Sequence, residues 1–395
     1  MKSIERPARP PLNPTRIAMA LSVILASALS TAQAEPSTAQ TPPPADVSEF
    51  LTPGRLLSLD TWFTEAADAD AVEAADAGQP DIGKELWESI VGGKVNLDIR
   101  LRVEWAEADR LDSSTAWTSR IRLGYGSKPW NGLSFYVEME DIRAIEEEAY
   151  NAAGLNGEPG KTVIADPPDT ELNQGYIKYD KDGIELIAGR QRIILDDSRF
   201  IGNVGWRQNE QTFDAVGLRA TFIENWAFYY AYLWEVNRIF GPDADRDFHS
   251  SSHLVNVSFA GLGEIAKITG FAYLLDFHNA DALSSNSFGF RVTGSHDVIE
   301  DVNVGYIASY AYQTDAGDNP TGYGANYVNG EVFVSPKGWG TAGVGYELLG
   351  TDDGVASFNT PLATLHKFNG FADVFLVTPL RGLQDLYIYY GTTLP

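Results

Sequence analysis

The chain contains no cysteine, which excludes disulfides and thiolate metal sites as the means of holding the fold. Its histidines (His249, His253, His278, His296 and His366) are scattered and form no zinc spacing. No Gly-x-Ser-x-Gly elbow and no phosphate-binding loop occurs. No clustered nucleophile and base is recognisable, so neither an enzyme nor a cofactor is expected. Basic residues are scarce: 29 Lys and Arg stand against 54 Asp and Glu, a formal charge of −25. That balance argues against nucleic acid as a partner. Beyond the N-terminus, no apolar run approaches the roughly 20 residues that a spanning helix needs.

What is present begins with an export signal. Lys2, Arg6, Arg9 and Arg16 form a basic region, Ile17 to Leu29 an apolar one, and Ala32-Gln33-Ala34 a small-x-small cleavage site. Residues 1–34 are therefore read as a signal peptide and Glu35 as the mature start. Its removal takes away four basic residues and Glu5, which moves the charge from −25 to −28. Residues 35–48 are rich in Pro, Thr and Ala, and 60–88 in Ala and acids, with Asp68, Asp70, Glu73 and Asp76 close together. The stretch 35–90 reads as a periplasmic tether, with either a short helix or a solvated linker at its end.

From Lys94 onward the chain alternates short amphipathic segments with turn-rich gaps. Fifteen strand candidates run from 94–106 to 384–391, the fourteenth at 368–377. Tight turns such as Asp180-Lys181-Asp182-Gly183 and Ser335-Pro336-Lys337-Gly338 alternate with long gaps at 147–170, 194–211, 238–250 and 350–367. Glycine (37), tyrosine (18) and phenylalanine (19) are plentiful. This rhythm predicts an all-β fold over 91–395: an antiparallel up-and-down transmembrane β-barrel in the outer membrane of a Gram-negative cell, with short turns on the periplasmic side. An odd count and an ending without a closing aromatic strand carry the expectation that the last few strands of an even barrel are missing.

Period-two alternation sorts charge by face. In 94–106, Val95, Leu97, Ile99, Leu101, Val103 and Trp105 share one face, and Lys94, Asn96, Asp98, Arg100, Arg102 and Glu104 the other. The apolar face must meet lipid, because an arginine at the bilayer midplane costs roughly 2–4 kcal/mol. Arg100 and Arg102 therefore face the lumen. The same parity turns Arg120, Arg122, Arg219 and Arg291 inward. Two readings stay open: a net-positive path for anions, or a neutral ladder in which these arginines pair with Asp98, Glu104, Glu138 and Glu140. The segment from Gly189 to Gln211 crowds Arg190, Arg192, Asp196, Asp197, Arg199 and Arg207 into a long outer loop. It could fold into the mouth as a gate or filter, or remain a solvated loop with internal salt bridges. Arg190 shares parity with Ile184, Leu186 and Ala188, which puts it beyond the lipid or past a bulge. Asp243, Asp245 and Asp247 could hold Ca²⁺ but lack the glycine and distal Glu of an EF-hand loop, so no metal is expected.

Three stretches resemble the alginate export family of outer-membrane barrels: GGKVNLDIRLRVEWAE from Gly92, GRQRIILDDSRFIGNVGWRQNEQTFDAVGLR from Gly189, and TPLATLHKFNGFADVFLVTPLRGLQDLY from Thr360. The resemblance covers about 90 to 391. It implies a monomeric barrel of eighteen strands whose arginine-rich lumen passes an anionic polysaccharide outward. Arg100, Arg102, Arg120, Arg122, Arg190, Arg199 and Arg207 fit that lining. The leading expectation is thus a passive channel for an anionic polysaccharide such as alginate, with outer-membrane lipid and periplasmic secretion proteins as partners. The alternative is an uptake porin for small anionic nutrients or oligosaccharides.

Overall fold

The computed structural model describes residues 82–369 and 372–392. The export signal and most of the tether lie outside them. The described chain opens with a helix, α1 (Ile82–Val91), at the end of the predicted tether. Strands follow in the order β1 (Lys94–Ala106), β2 (Ser114–Gly126), β3 (Leu133–Ala144), β4 (Asp169–Lys181), β5 (Ile184–Gln191), β6 (Thr212–Ala220), β7 (Trp226–Asn237) and β8 (Phe248–Phe259). They continue with β9 (Lys267–Leu275), β10 (Ser285–Ile299), β11 (Val302–Asp315), β12 (Gly324–Pro336), β13 (Thr341–Leu349), β14 (Thr351–Asp352), β15 (Ala356–Ser357) and β16 (Leu383–Gly391).

Fourteen of them form one antiparallel sheet in chain order, β1 to β13 and then β16, while β14 and β15 pair only with each other. Among the described residues β1 and β16 are the two edges and do not pair with one another. The sheet holds fourteen strands, not the fifteen expected: the described residues of the predicted strand at 368–377 are loop. Val374, Phe375, Leu376 and Val377 are apolar in succession, without period two, and side chains earlier in the segment are held inside the lumen as described below.

The wall follows the predicted alternation. On β1 the apolar face is the exposed one, with Leu101 81% accessible, as a lipid-facing wall requires. Exposed Trp105, Trp117 and Trp234 mark one rim, and Trp226, Trp339 and Tyr390 the other, an arrangement suited to the two membrane–water boundaries. The gaps alternate as the sequence implied. Asp182 and Gly183 form a two-residue hairpin turn, both with positive φ (54° and 77°). The opposite gaps at 145–168, 192–211 and 350–382 are long. A buried apolar cluster lies on the inward side of the wall, where Ile193, Leu195, Ile201, Phe358 and Leu362 from two long loops meet inward residues of the strands.

Candidate channel lumen

The loop 192–211 does not stand in solvent. Its residues bond inward-facing groups of β1, β2, β4, β8, β10 and β13, so the sheet curls round it. Arg100 donates to the carbonyl oxygens of Gly205 (3.2 Å), Trp206 (2.6 Å) and Arg207 (2.9 Å). Arg102 donates to Trp206 O at 2.7 Å and to Glu104 at 2.5 Å, and lies 3.3 Å from Asp166. On β2, Arg120 meets Asp98 at 2.6 Å and Gln208 O at 3.2 Å, and Arg122 meets Glu140 and, at 3.1 Å, Glu210. Arg120 is only 6% exposed.

The far end of the loop reaches the opposite strands. Arg199, 2% exposed, makes a two-pronged pair with Glu347 on β13 (2.6 and 3.2 Å) and donates to Thr360 at 3.0 Å. Glu347 also accepts from Tyr327 and Asn369. Asp197 pairs with Arg291 on β10 at 2.8 Å, and Asp196 accepts from Asn256 on β8 at 3.0 Å. Phe200 is ringed by Phe271, Tyr273, Tyr327 and Phe358, with centroids 4.9–5.9 Å away. This explains why a long loop carries Ile193, Leu195, Phe200 and Ile201: they are its apolar anchor.

A second segment, 358–373, braces the first. Gly202 N donates to Leu362 O (2.8 Å), and Thr364 N to Ser198 O (3.1 Å). Trp206 stacks on His366 at 3.4 Å between centroids, and the guanidiniums of Arg102 and Arg207 lie over its ring at 4.5 and 4.0 Å. Arg207 pairs with Glu104 (3.1 Å) and Asp373 (3.5 Å), and His366 with Asp373 (2.7 Å). Phe368 lies under Arg199, 4.7 Å from its guanidinium carbon.

Glu210 is the charge hub of the loop. Arg122, Arg192, Asn173 and Asn203 all contact it. Burial opposes its charge, but Arg192 foremost and then Arg122 hold its carboxyl down at about 2. Burial opposes Asp197 as well, yet Arg291 and Lys367 keep it below the usual carboxylate range.

The predicted residues thus fall into groups. Arg100, Arg102, Arg120, Arg122, Arg199, Arg207, Arg291, Asp196 and Asp197 come together around the loop. The pairings of the foreseen ladder are present for three of them, Arg102 with Glu104 on its own strand and Arg120 and Arg122 with Asp98 and Glu140 on neighbouring strands, whereas Arg100 bonds backbone carbonyls. Arg219 stands apart, 3.9 Å from Glu185 towards the tight-turn side. Arg190 is not pore-lining. It lies opposite Asp214, two positions beyond the exposed Ala188–Val216 pair, and forks onto Asp214 at 2.7 and 3.1 Å on the outward face near the long-loop rim. Asp247 accepts from Arg238 N (2.7 Å), and among the described residues no three metal-ligating side chains gather. Phe200, Trp206, Gln208, Glu210, Leu362, His366 and Asp373 were not singled out by sequence. An apolar and aromatic content too high for a solvated loop was the available signal.

Residues 87–249, from the end of α1 to the start of β8, match the family model Alginate export. Over this part the chain is similar to the alginate export family. The match to that family, with the lipid-facing apolar band, places the protein in the outer membrane. No curated protein matches the chain. Among solved structures the fold is similar to that of OccK9 (OpdG) from Pseudomonas aeruginosa, at TM-score 0.54 and 13% identity over 66% of this chain and 68% of that one. OccAB3 from Acinetobacter baumannii is similar at TM-score 0.53 and 14% identity, over 66% and 67%. OpdL from Pseudomonas aeruginosa follows at TM-score 0.50 and 14% identity, over 65% of each chain. The match thus spans about two-thirds of those structures' length.

Proposed function

We propose that this alginate export family chain supplies wall and plug to a passive channel for an anionic polysaccharide or oligosaccharide such as alginate, moving outward. The observation that carries the reading is the bonding of Arg100 and Arg102. Arg100 is held by three loop carbonyls at 2.6–3.2 Å, and Arg102, beside Glu104 and Asp166, gives its remaining bond to Trp206 O. A substrate carboxylate is the stronger acceptor, since an ionised partner roughly doubles the strength of a hydrogen bond. Polymer carboxylates would replace the loop carbonyls one at a time, so that advance needs no covalent step and no catalytic group.

The loop across the lumen favours a second reading. With 192–211 in place, a small anion fits the remaining passage better than a polymer chain does, and the protein would then be an uptake porin. Single-channel recording with uronate oligomers of increasing length separates the two. A polymer channel is blocked more strongly as length grows, and a small-anion porin loses block beyond short oligomers. In either case Arg100→Ser combined with Arg102→Ser should lower anion preference and weaken block. Unchanged selectivity in that double variant would falsify guidance by these arginines.

A further inference from the structure

Helix α1 carries an apolar face that nothing in the described chain covers. At 3.6 residues per turn, Ile82, Leu86 and Ile90 align, with Trp87 and Val91 beside them. Ile82 is 60% and Trp87 63% exposed. The other arc is polar and turned to the wall: Ser89 Oγ donates to Lys128 O (2.5 Å), and Glu85 accepts from Trp130 Nε1 (3.3 Å).

The grip on the helix end decides which side of the wall α1 occupies. The Tyr125 hydroxyl donates to Ile90 O and accepts from Gly93 N (3.1 Å). Tyr125, itself half-buried, pairs with Val95 and shares parity with Leu123 and Ile121, and Val95, Leu123 and Ile121 are exposed on the lipid-facing side. The helix is therefore tied to the outward face of the wall, not to the lumen. It lies at the tight-turn rim, where Trp226 and Trp339 of the aromatic girdle also stand. Only Gly92, Gly93 and Lys94 separate Val91 at its end from the exposed band that begins at Val95. Exposed Lys94 and Lys128 flank the junction at headgroup level.

We propose that α1 is an interfacial helix: it lies in the periplasmic leaflet of the outer membrane, its apolar arc sunk at the headgroup–acyl boundary and Trp87 as its anchor. The occupant of the face is lipid, because Tyr125 ties the helix end to the face of the wall that lipid already covers.

The absence of cysteine makes the test direct. Leu86→Cys, Glu88→Cys and Val91→Cys are made singly in the full chain, which is spin-labelled in vesicles of phosphatidylethanolamine and phosphatidylglycerol. All three residues are exposed, so none of the substitutions disturbs the wall. Labels at 86 and 91 should collide with oxygen several-fold more, and with a water-soluble nickel chelate several-fold less, than the label at 88. Adding Tyr125→Phe should erode that contrast at 91. Equal nickel access at all three positions, or shielding of 86 and 91 from both reagents by covering protein, would overturn the proposal.

Discussion

Arg199 concentrates the energetics of the lumen in one side chain. Its charge is buried and fully committed to Glu347 and Thr360. Removing one partner of such a pair typically costs about 3–5 kcal/mol, because the other charge is left uncompensated. Glu347→Gln should therefore undock the loop without touching the wall. Trypsin is the probe: the Arg199 bond should resist cleavage in the native protein and be cut readily in the variant. Glu210 makes a prediction with the opposite variable. A carboxylate ordinarily titrates near 4.3, and here it is held at about 2. Its contribution to docking is complete above the ordinary value and drains away only as pH falls towards 2. Conductance should be flat from pH 7 to about 4.5 and rise in stronger acid. A rise between pH 7 and 5 would point to another group. Parity made Arg100, Arg102, Arg120 and Arg122 legible in the sequence, because lipid tolerates one face only. Glu210 and Trp206 were not legible, since their roles depend on contacts made across the lumen.

At the level of elements, strands were easier to read than loops. Period two survives in β1 because the environment alternates strictly between lipid and lumen. The segment 368–377 shows the converse. It is apolar enough for a strand, but its first two residues, Phe368 and Asn369, serve Arg199 and Glu347 instead of a ladder. Arg190 keeps the outward parity of Ile184, Leu186 and Ala188, and only the resemblance had put it in the lining. Gly189 adopts φ +124°, and a Cβ there would stand 2.3 Å from Gly175 O. Opposite this point β4 bulges between the partners of Glu138 and Met139. The glycine lets β5 cross close to β4 before the chain turns inward as the plug. Gly189→Ala should destabilise the fold by about 1–3 kcal/mol, the usual range for a residue forced into sparse backbone space. A lower temperature for the heat-dependent gel shift would register it. Excising 196–208 removes the plug while leaving both flanking strands, and should raise single-channel conductance severalfold.

Over the whole molecule, two kinds of contact differ in how far apart in sequence their partners lie. Every pairing in the main sheet joins strands that are neighbours in chain order, except β13 with β16, which only the small β14–β15 pair separates. The bonds between plug and wall join residues far apart, 107 positions for Arg100 with Arg207 and 148 for Arg199 with Glu347. Closing long loops is entropically slow, whereas successive hairpins can zip one onto the next. The order of assembly follows: the wall forms first, and the plug threads into a lumen that already exists. What arrives last is also released first when the native state fluctuates. Backbone amides of 196–210 should therefore exchange with deuterated water well before those of β10 to β12, and in pulse-labelled refolding they should gain protection after the strands do. The same history gives the protein a state in which every strand is paired as described and the lumen is free of the plug, reached without unfolding a single strand.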